Sequence, residues 1–204
     1  MVKNRNGRIK LSVKEKLLKY LIENKTPQSI MTLSGATLID YKNTYNLVSK
    51  LEPEVISKEK IGNTSLIKIK LTPNPEIFSL EDKRMAQFLK ENKQLGLLKQ
   101  DIESIDYPFL IALVFGSYVK KTPTKNSDID LCIISDNEEK IKELISKLEL
   151  LPLKLEIYTF TKNEFESMLK TKEENVGKEI VKNNILLYGI ENYYNLVSKW
   201  MKKE

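Results

Sequence analysis

Apolar positions recur with a helical period through the first fifty residues, and the period then shortens to that of a strand. Val13, Leu17, Leu18 and Leu21 follow Ser12-Val13-Lys14-Glu15, which has the form of a capping box, so a helix is predicted there and Thr26-Pro27 stops it. A short second helix is expected around Ser29 to Leu33, ending near Gly35. Tyr41, Tyr45, Val48 and Leu51 mark the buried stripe of a third helix, which leaves Lys42, Asn43, Thr44, Asn46 and Lys50 exposed. After Pro53, Val55 to Lys58 and Leu66 to Leu71 flank the turn-forming Gly62-Asn63. Ile67, Ile69 and Leu71 alternate with Lys68 and Lys70, which predicts a basic hairpin.

Thr72-Pro73-Asn74-Pro75 places two prolines in four residues and is the expected domain boundary, dividing the chain into residues 1–75 and 76–204. Beyond it, Leu80 to Leu98 reads as a connecting helix within 76–100, with Met85, Phe88, Leu89 and Leu95 inward. Strand and helix then alternate. Capping signals at Ser135-Asp136-Asn137-Glu138 and Thr161-Lys162-Asn163-Glu164 open two helices, Leu153 to Thr159 reads as a strand between them, and a helical pair surrounds Ile185 to Gly189. The fold class expected is α+β, with a small mixed sheet flanked by helices in the second domain.

The stretch from Phe109 to Ser135 carries the chemistry. An apolar run ends in Gly116-Ser117, a short basic polar loop follows, and Asp128-Ile129-Asp130 opens a second apolar run. Gly116 lets a phosphate approach the backbone, Ser117 offers a hydroxyl and an N–H, and Lys120 and Lys121 add positive charge. Carboxylates separated by one residue on a strand share a face, so Asp128 and Asp130 can hold Mg²⁺ together, while Ile129 turns to the core. Two metals about 4 Å apart need a further acid. Glu156, between Leu155 and Ile157 on the expected strand, is the residue assigned to it, and it could also help deprotonate an acceptor hydroxyl. Asp136 and Glu149 are alternatives at helix ends, where capping or solvation accounts for them.

Composition narrows the chemistry further. The 204 residues contain no histidine, which removes imidazole bases, histidine-assisted nucleophiles and the common zinc sites. The single cysteine, Cys132, permits no intrachain disulfide and reads as a small buried hydrophobe. Phe109 to Phe115 is far shorter than the ~18 residues of a membrane span, and the basic N-terminus is not followed by an apolar signal segment, so a cytoplasmic, membrane-free protein is expected. The net charge of +6 is unevenly spread: residues 1–75 hold 14 Lys/Arg against 6 Asp/Glu, a net of +8. A polyanion-binding N-terminal module is the reading that asymmetry favours.

From Phe109 to Tyr158 the chain resembles the polymerase-β-type nucleotidyltransferase superfamily, especially its minimal prokaryotic members, on Gly116-Ser117, Ser127-Asp128-Ile129-Asp130-Leu131 and the later strand carboxylate Glu156. Leu186 to Glu191 matches more loosely. Small members often follow Gly-Ser with one residue, then Ala, a basic residue and Gly; Val119 and Lys121 depart from the small residues of that pattern, and Lys120 keeps its basic position. The resemblance implies a nucleotidyltransferase domain in which Gly116, Ser117, Lys120 and Ser127 bind an NTP, with ATP favoured. It implies that Asp128, Asp130 and Glu156 bind two Mg²⁺ ions, Mn²⁺ being an alternative, and that a nucleoside monophosphate passes to a hydroxyl on protein or RNA. It further implies service as the antitoxin of a HEPN-type ribonuclease toxin, with tRNA or antibiotic modification as a third reading. The first 75 residues resemble winged helix-turn-helix DNA-binding domains in element order and charge. That implies nucleic-acid contacts from Lys42, Asn43, Thr44, Lys50, Lys58, Lys60 and Lys68, with Lys3, Arg5, Arg8 and Lys10 as a basic arm; the alternatives are a DNA-binding regulator whose transferase fold senses nucleotide or binds a partner, and a winged helix that serves for protein docking or homodimerisation.

Overall fold

The structure is a computed structural model that describes residues 9–124 and 127–201. Lys3, Arg5 and Arg8 of the expected basic arm lie outside the described residues. The chain divides into two compact units, residues 1–80 and 81–204.

In the first unit, α1 (Val13–Glu23) begins with the expected capping box: Ser12 Oγ accepts the Glu15 N–H and Glu15 reaches back to the Ser12 N–H. A two-residue strand β1 (Gln28–Ser29) precedes α2 (Ile30–Thr37), and α3 (Tyr41–Leu51) follows an Asp40 cap. Strands β2 (Ile56–Ile61) and β3 (Thr64–Ile69) form the hairpin around Gly62-Asn63, and β1 adds to β3, giving an antiparallel sheet of order β1-β3-β2. Leu17, Leu21, Leu33, Val48, Ile56 and Ile67 are among the residues that fill its core.

The third helix turns differently from expectation. Its inner stripe is Thr44, Val48 and Leu51, while Tyr41 and Tyr45 stand 56% and 46% exposed. Thr44 is fully buried because its hydroxyl has partners there: Oγ1 donates to the carbonyls of Asp40 (2.9 Å) and Ile39 (3.2 Å). The expected exposure of Thr44 is therefore corrected.

The helix after the prolines also begins earlier than predicted. α4 (Pro75–Glu91) starts on Pro75 itself, where a missing N–H and a fixed φ suit the first helical position, and Asn74 Oδ1 accepts the Glu76 N–H. It stops before Leu95, where a separate helix, α5 (Leu95–Glu103), begins.

The second unit is built on a four-stranded mixed sheet of order β6-β5-β4-β7, from β4 (Ile111–Val114), β5 (Ile129–Ile134), β6 (Leu155–Phe160) and β7 (Ile185–Tyr188). β5 runs antiparallel to β4 and parallel to β6, and β7 runs antiparallel to β4. The helices are α6 (Gly116–Lys120), α7 (Glu138–Leu148), α8 (Lys162–Lys170), α9 (Val176–Lys182) and α10 (Ile190–Met201). The segment expected between two C-terminal helices is thus a strand, β7, between α9 and α10. α7 is capped by Asn137, not Ser135, with Asn137 Oδ1 accepting the Lys140 N–H at 3.0 Å.

Ile129, Leu131 and Ile133 pack with Ala112, Val114, Leu144 and Leu148 on one face of the sheet. Strand alternation turns Asp130, Cys132 and Ile134 to the other face, where Cys132 is fully buried. Behind the sheet lies a buried polar network. Arg84 donates to Glu81 and to the Asn184 carbonyl (3.0 Å), Tyr194 donates to Glu81 (2.7 Å), and Asn184 Nδ2 donates to Tyr193 Oη (2.8 Å). Among the described residues no helix is long and apolar enough to cross a membrane.

Candidate active site

Three short sequence segments meet at one end of the second sheet. β4 delivers the chain to Phe115, whose N–H donates to the Asp130 carbonyl at 3.0 Å. The backbone then swings through Gly116 at φ +68°, a conformation that favours glycine. A Cβ on Gly116 would lie 1.9 Å from Asp130 Oδ2, so Asp130 packs directly against the glycine surface. The following N–H, that of Ser117, stabilises the Asp130 carboxylate. The helical turn of α6 begins here at Gly116.

Glu156 reaches the same place by register. β6 lies parallel beside β5 with Asp130 and Glu156 as direct partners, which sets both carboxylates on one sheet face. Asp128 lies just before β5, exposed, and Ile129 beyond it is buried as expected. Burial, then the Glu156 charge, and after these Glu179, raise the Asp130 carboxyl above its ordinary range against the opposing Ser117 N–H.

Two residues of the site were not foreseen. Tyr158 lies two positions beyond Glu156, hence on the same face. Its hydroxyl donates to Glu156 Oε1 at 2.5 Å, and its ring meets Phe115 edge-on at 5.3 Å. The hydrogen bond to Glu156, with burial and the surrounding negative charge, pushes its phenol up to about 12. The i, i+2 spacing from Glu156 was a usable signal for it. Glu179, on α9, acts on both Asp130 and Tyr158 and pairs with Lys120 at 2.7 Å. No short-range pattern could have disclosed Glu179, because only the fold returns α9 to the Gly-Ser turn.

The remaining sequence candidates divide. Lys120 stands on the last position of α6, in that ion pair. Ser127 braces its own loop: its Oγ accepts the Thr124 N–H at 2.8 Å. Asp136 accepts the Lys162 N–H (2.9 Å) at the start of α8, and Glu149 ends α7, so both alternatives to Glu156 have structural employment. Tyr118, and Val119 where the family pattern has alanine, pack against the core.

The Asp130 and Glu156 donors are carboxylate oxygens, and the repulsion Asp130 feels from Glu156 is what a hard divalent cation relieves, so this pair fits such an ion, with Asp128 the carboxylate two positions before Asp130 in sequence. Among the described residues no three acidic or thiol side chains converge as a ready metal cage; the pair sharing a register is Asp130 and Glu156.

In the first unit, Lys58 Nζ lies 5.7 Å from the Tyr45 ring centroid, joining β2 to α3. Lys58 pairs with Ile67 and Lys60 with Ser65, whereas Lys68 pairs with Ser57. Alternation therefore puts Lys58 and Lys60 on one face of the hairpin and Lys68 on the other. Asn43 serves the α3 cap, donating from its backbone and side chain to Asp40 at 2.9 and 2.6 Å. Lys42 and Lys50 are exposed on α3.

Residues 85–183 match the model of a family described as Nucleotidyltransferase domain. That span takes in Gly116, Ser117, Lys120, Asp128, Asp130, Glu156, Tyr158 and Glu179, and it supports nucleotidyl transfer as the general activity of the second unit. Among curated proteins nothing matches the chain.

Proposed function

We propose that the protein is a Mg²⁺-dependent nucleotidyltransferase that moves a nucleoside monophosphate, most favourably AMP, from an NTP to a hydroxyl of a protein or RNA in the cytoplasm. The observation that carries this reading is the side-by-side placement of Asp130 and Glu156 against the Gly116-Ser117 turn, inside the segment similar to nucleotidyltransferase domains. The acceptor oxygen attacks the α-phosphorus, the bond to the β-phosphate oxygen breaks, and pyrophosphate leaves. Gly116 gives the phosphates room, and Ser117 and Lys120 hold them. Asp128, Asp130 and Glu156 would hold Mg²⁺, two ions in the fullest form, which offsets the phosphate charge. Glu156, exposed and steadied by Tyr158, is placed to take the proton of the acceptor hydroxyl. A protein acceptor would fit service as an antitoxin that modifies a HEPN-type toxin.

Incubation with each α-labelled NTP, Mg²⁺ and cell lysate tests this: label should enter protein or RNA with the native chain and not with Asp128→Asn/Asp130→Asn. Equal labelling by that variant would sink the proposal.

For the first unit we propose a winged helix-turn-helix that contacts DNA or RNA. Support comes from the order α1-β1-α2-α3-β2-β3, the +8 charge of residues 1–75, and the approach of Lys58 to Tyr45. A DNA-binding regulator that uses the second unit for nucleotide sensing or partner binding is the second reading, and the same basic surface favours it.

A further inference from the structure

Lys120 and Glu179 come from segments far apart in the chain, yet their Nζ and Oε1 atoms are 2.7 Å apart. The pair ties the end of α6, the turn opened by Gly116-Ser117, to α9. Both side chains are partly exposed, and an ion pair in that setting is held weakly and exchanged readily. Lys120 is at the same time the cation nearest in sequence to the phosphate turn. A carboxylate that occupies this cation occupies it as an anion, in the position that a phosphate oxygen would compete for. Glu179 also lies within electrostatic reach of Asp130 and Tyr158, so it borders those two residues as well as the lysine.

We infer that Glu179 is a fourth acidic residue of the site, which holds Lys120 until the phosphates of a nucleotide displace it. The inference rests on the nucleotidyl-transfer reading and names the step by which its site changes from empty to loaded. A triphosphate carries more negative charge than a single carboxylate and takes the lysine in exchange. Glu179 is then left without that partner beside Asp130 and Glu156, and the local excess of negative charge rises. The appetite of the site for a divalent cation therefore rises when the nucleotide arrives. By linkage, the cation strengthens nucleotide binding by the same factor.

Calorimetric titration of the full chain with ATP in EDTA, with CTP, GTP and UTP in parallel, reads the exchange directly. Glu179→Gln should tighten metal-free binding by about two- to fivefold, the range expected when a weak exposed pair no longer competes. Lys120→Ala should weaken binding, and adding Glu179→Gln to it should give no further tightening; Lys120→Met replaces Lys120→Ala if circular dichroism shows that the alanine variant does not fold. The same tightening in both backgrounds would mean simple repulsion between Glu179 and the nucleotide, and would overturn the inference. So would no tightening in either. Failure of the native chain to bind any of the four nucleotides in EDTA and again in Mg²⁺ would overturn the transfer reading together with this one, whereas binding with an additive cycle overturns this one alone.

Discussion

Gly116 is the residue on which the geometry of the site turns. Its positive φ and the 1.9 Å approach of Asp130 Oδ2 to the place a Cβ would fill leave no room for a side chain. Gly116→Ala should lower stability by at least about 1–2 kcal/mol from the left-handed backbone alone, and should displace Asp130 as well. Urea unfolding reads the first effect, and the second appears as loss of labelled-nucleotide transfer beyond what the stability change explains. Tyr158→Phe removes one hydrogen bond to Glu156 while leaving the ring against Phe115. The expected result is a fall of about tenfold in kcat, a fraction of the roughly 10²–10⁴-fold that a positioned general base contributes, with an unchanged melting temperature. A lower melting temperature with unaltered kcat would assign Tyr158 to packing instead.

At the scale of elements, the polar network behind the second sheet is where stability is most exposed to change. Glu81 and Arg84 are 1% and 6% exposed, and Tyr194 also donates to Glu81. Glu81→Ala removes the buried carboxylate that accepts from both Arg84 and Tyr194 and should destabilise by about 3–5 kcal/mol, whereas replacing Glu81 and Arg84 together by apolar residues should recover much of that loss. Urea unfolding of the single and double variants checks the order. Burial holds the phenols of Tyr193 and Tyr194 above their ordinary range. The folded chain therefore keeps protons that the unfolded chain releases above about pH 10, and stability must decline as pH climbs past that value. Spectrophotometric titration should find these two phenols ionising only as the fold is lost. The sequence disclosed elements according to how local their cause was. The α1 and α8 caps were legible because each box is closed within four residues. β4 and β5 were legible as apolar runs around the Gly-Ser and Asp-Ile-Asp segments. α3 was misread because the stripes 41-45-48-51 and 44-48-51 share a period as well as Val48 and Leu51, and only the satisfied hydroxyl of Thr44 decides between them. β7 was obscured because a four-residue apolar run between helices has no period of its own.

Over the whole molecule, charge and chemistry reside in different units. Lysines 42, 50 and 58 share the α3 side of the first unit, whereas Lys68 lies on the other hairpin face. Triple replacement of Lys42, Lys50 and Lys58 by alanine should weaken duplex binding and lower the salt slope by about 3, and Lys68→Ala should do much less. Filter binding at several salt concentrations measures both, and equal effects would reject the surface. In the second unit, Mg²⁺ should raise the melting temperature saturably, and Asp130→Asn should abolish that rise; an identical rise in the variant would move the ion elsewhere.

Cys132 gives the second unit a reporter of its own breathing. It is the chain's one thiol, sits in β5 two residues from Asp130 with no solvent exposure, and burial raises its pKa far above the ordinary thiol value. A thiol reagent can reach it only when the sheet parts. The rate of native-state modification, divided by the rate for an open peptide, then gives the opening equilibrium of the catalytic sheet without any introduced label. A nucleotide or cation that binds the closed form must slow that clock in proportion to its occupancy.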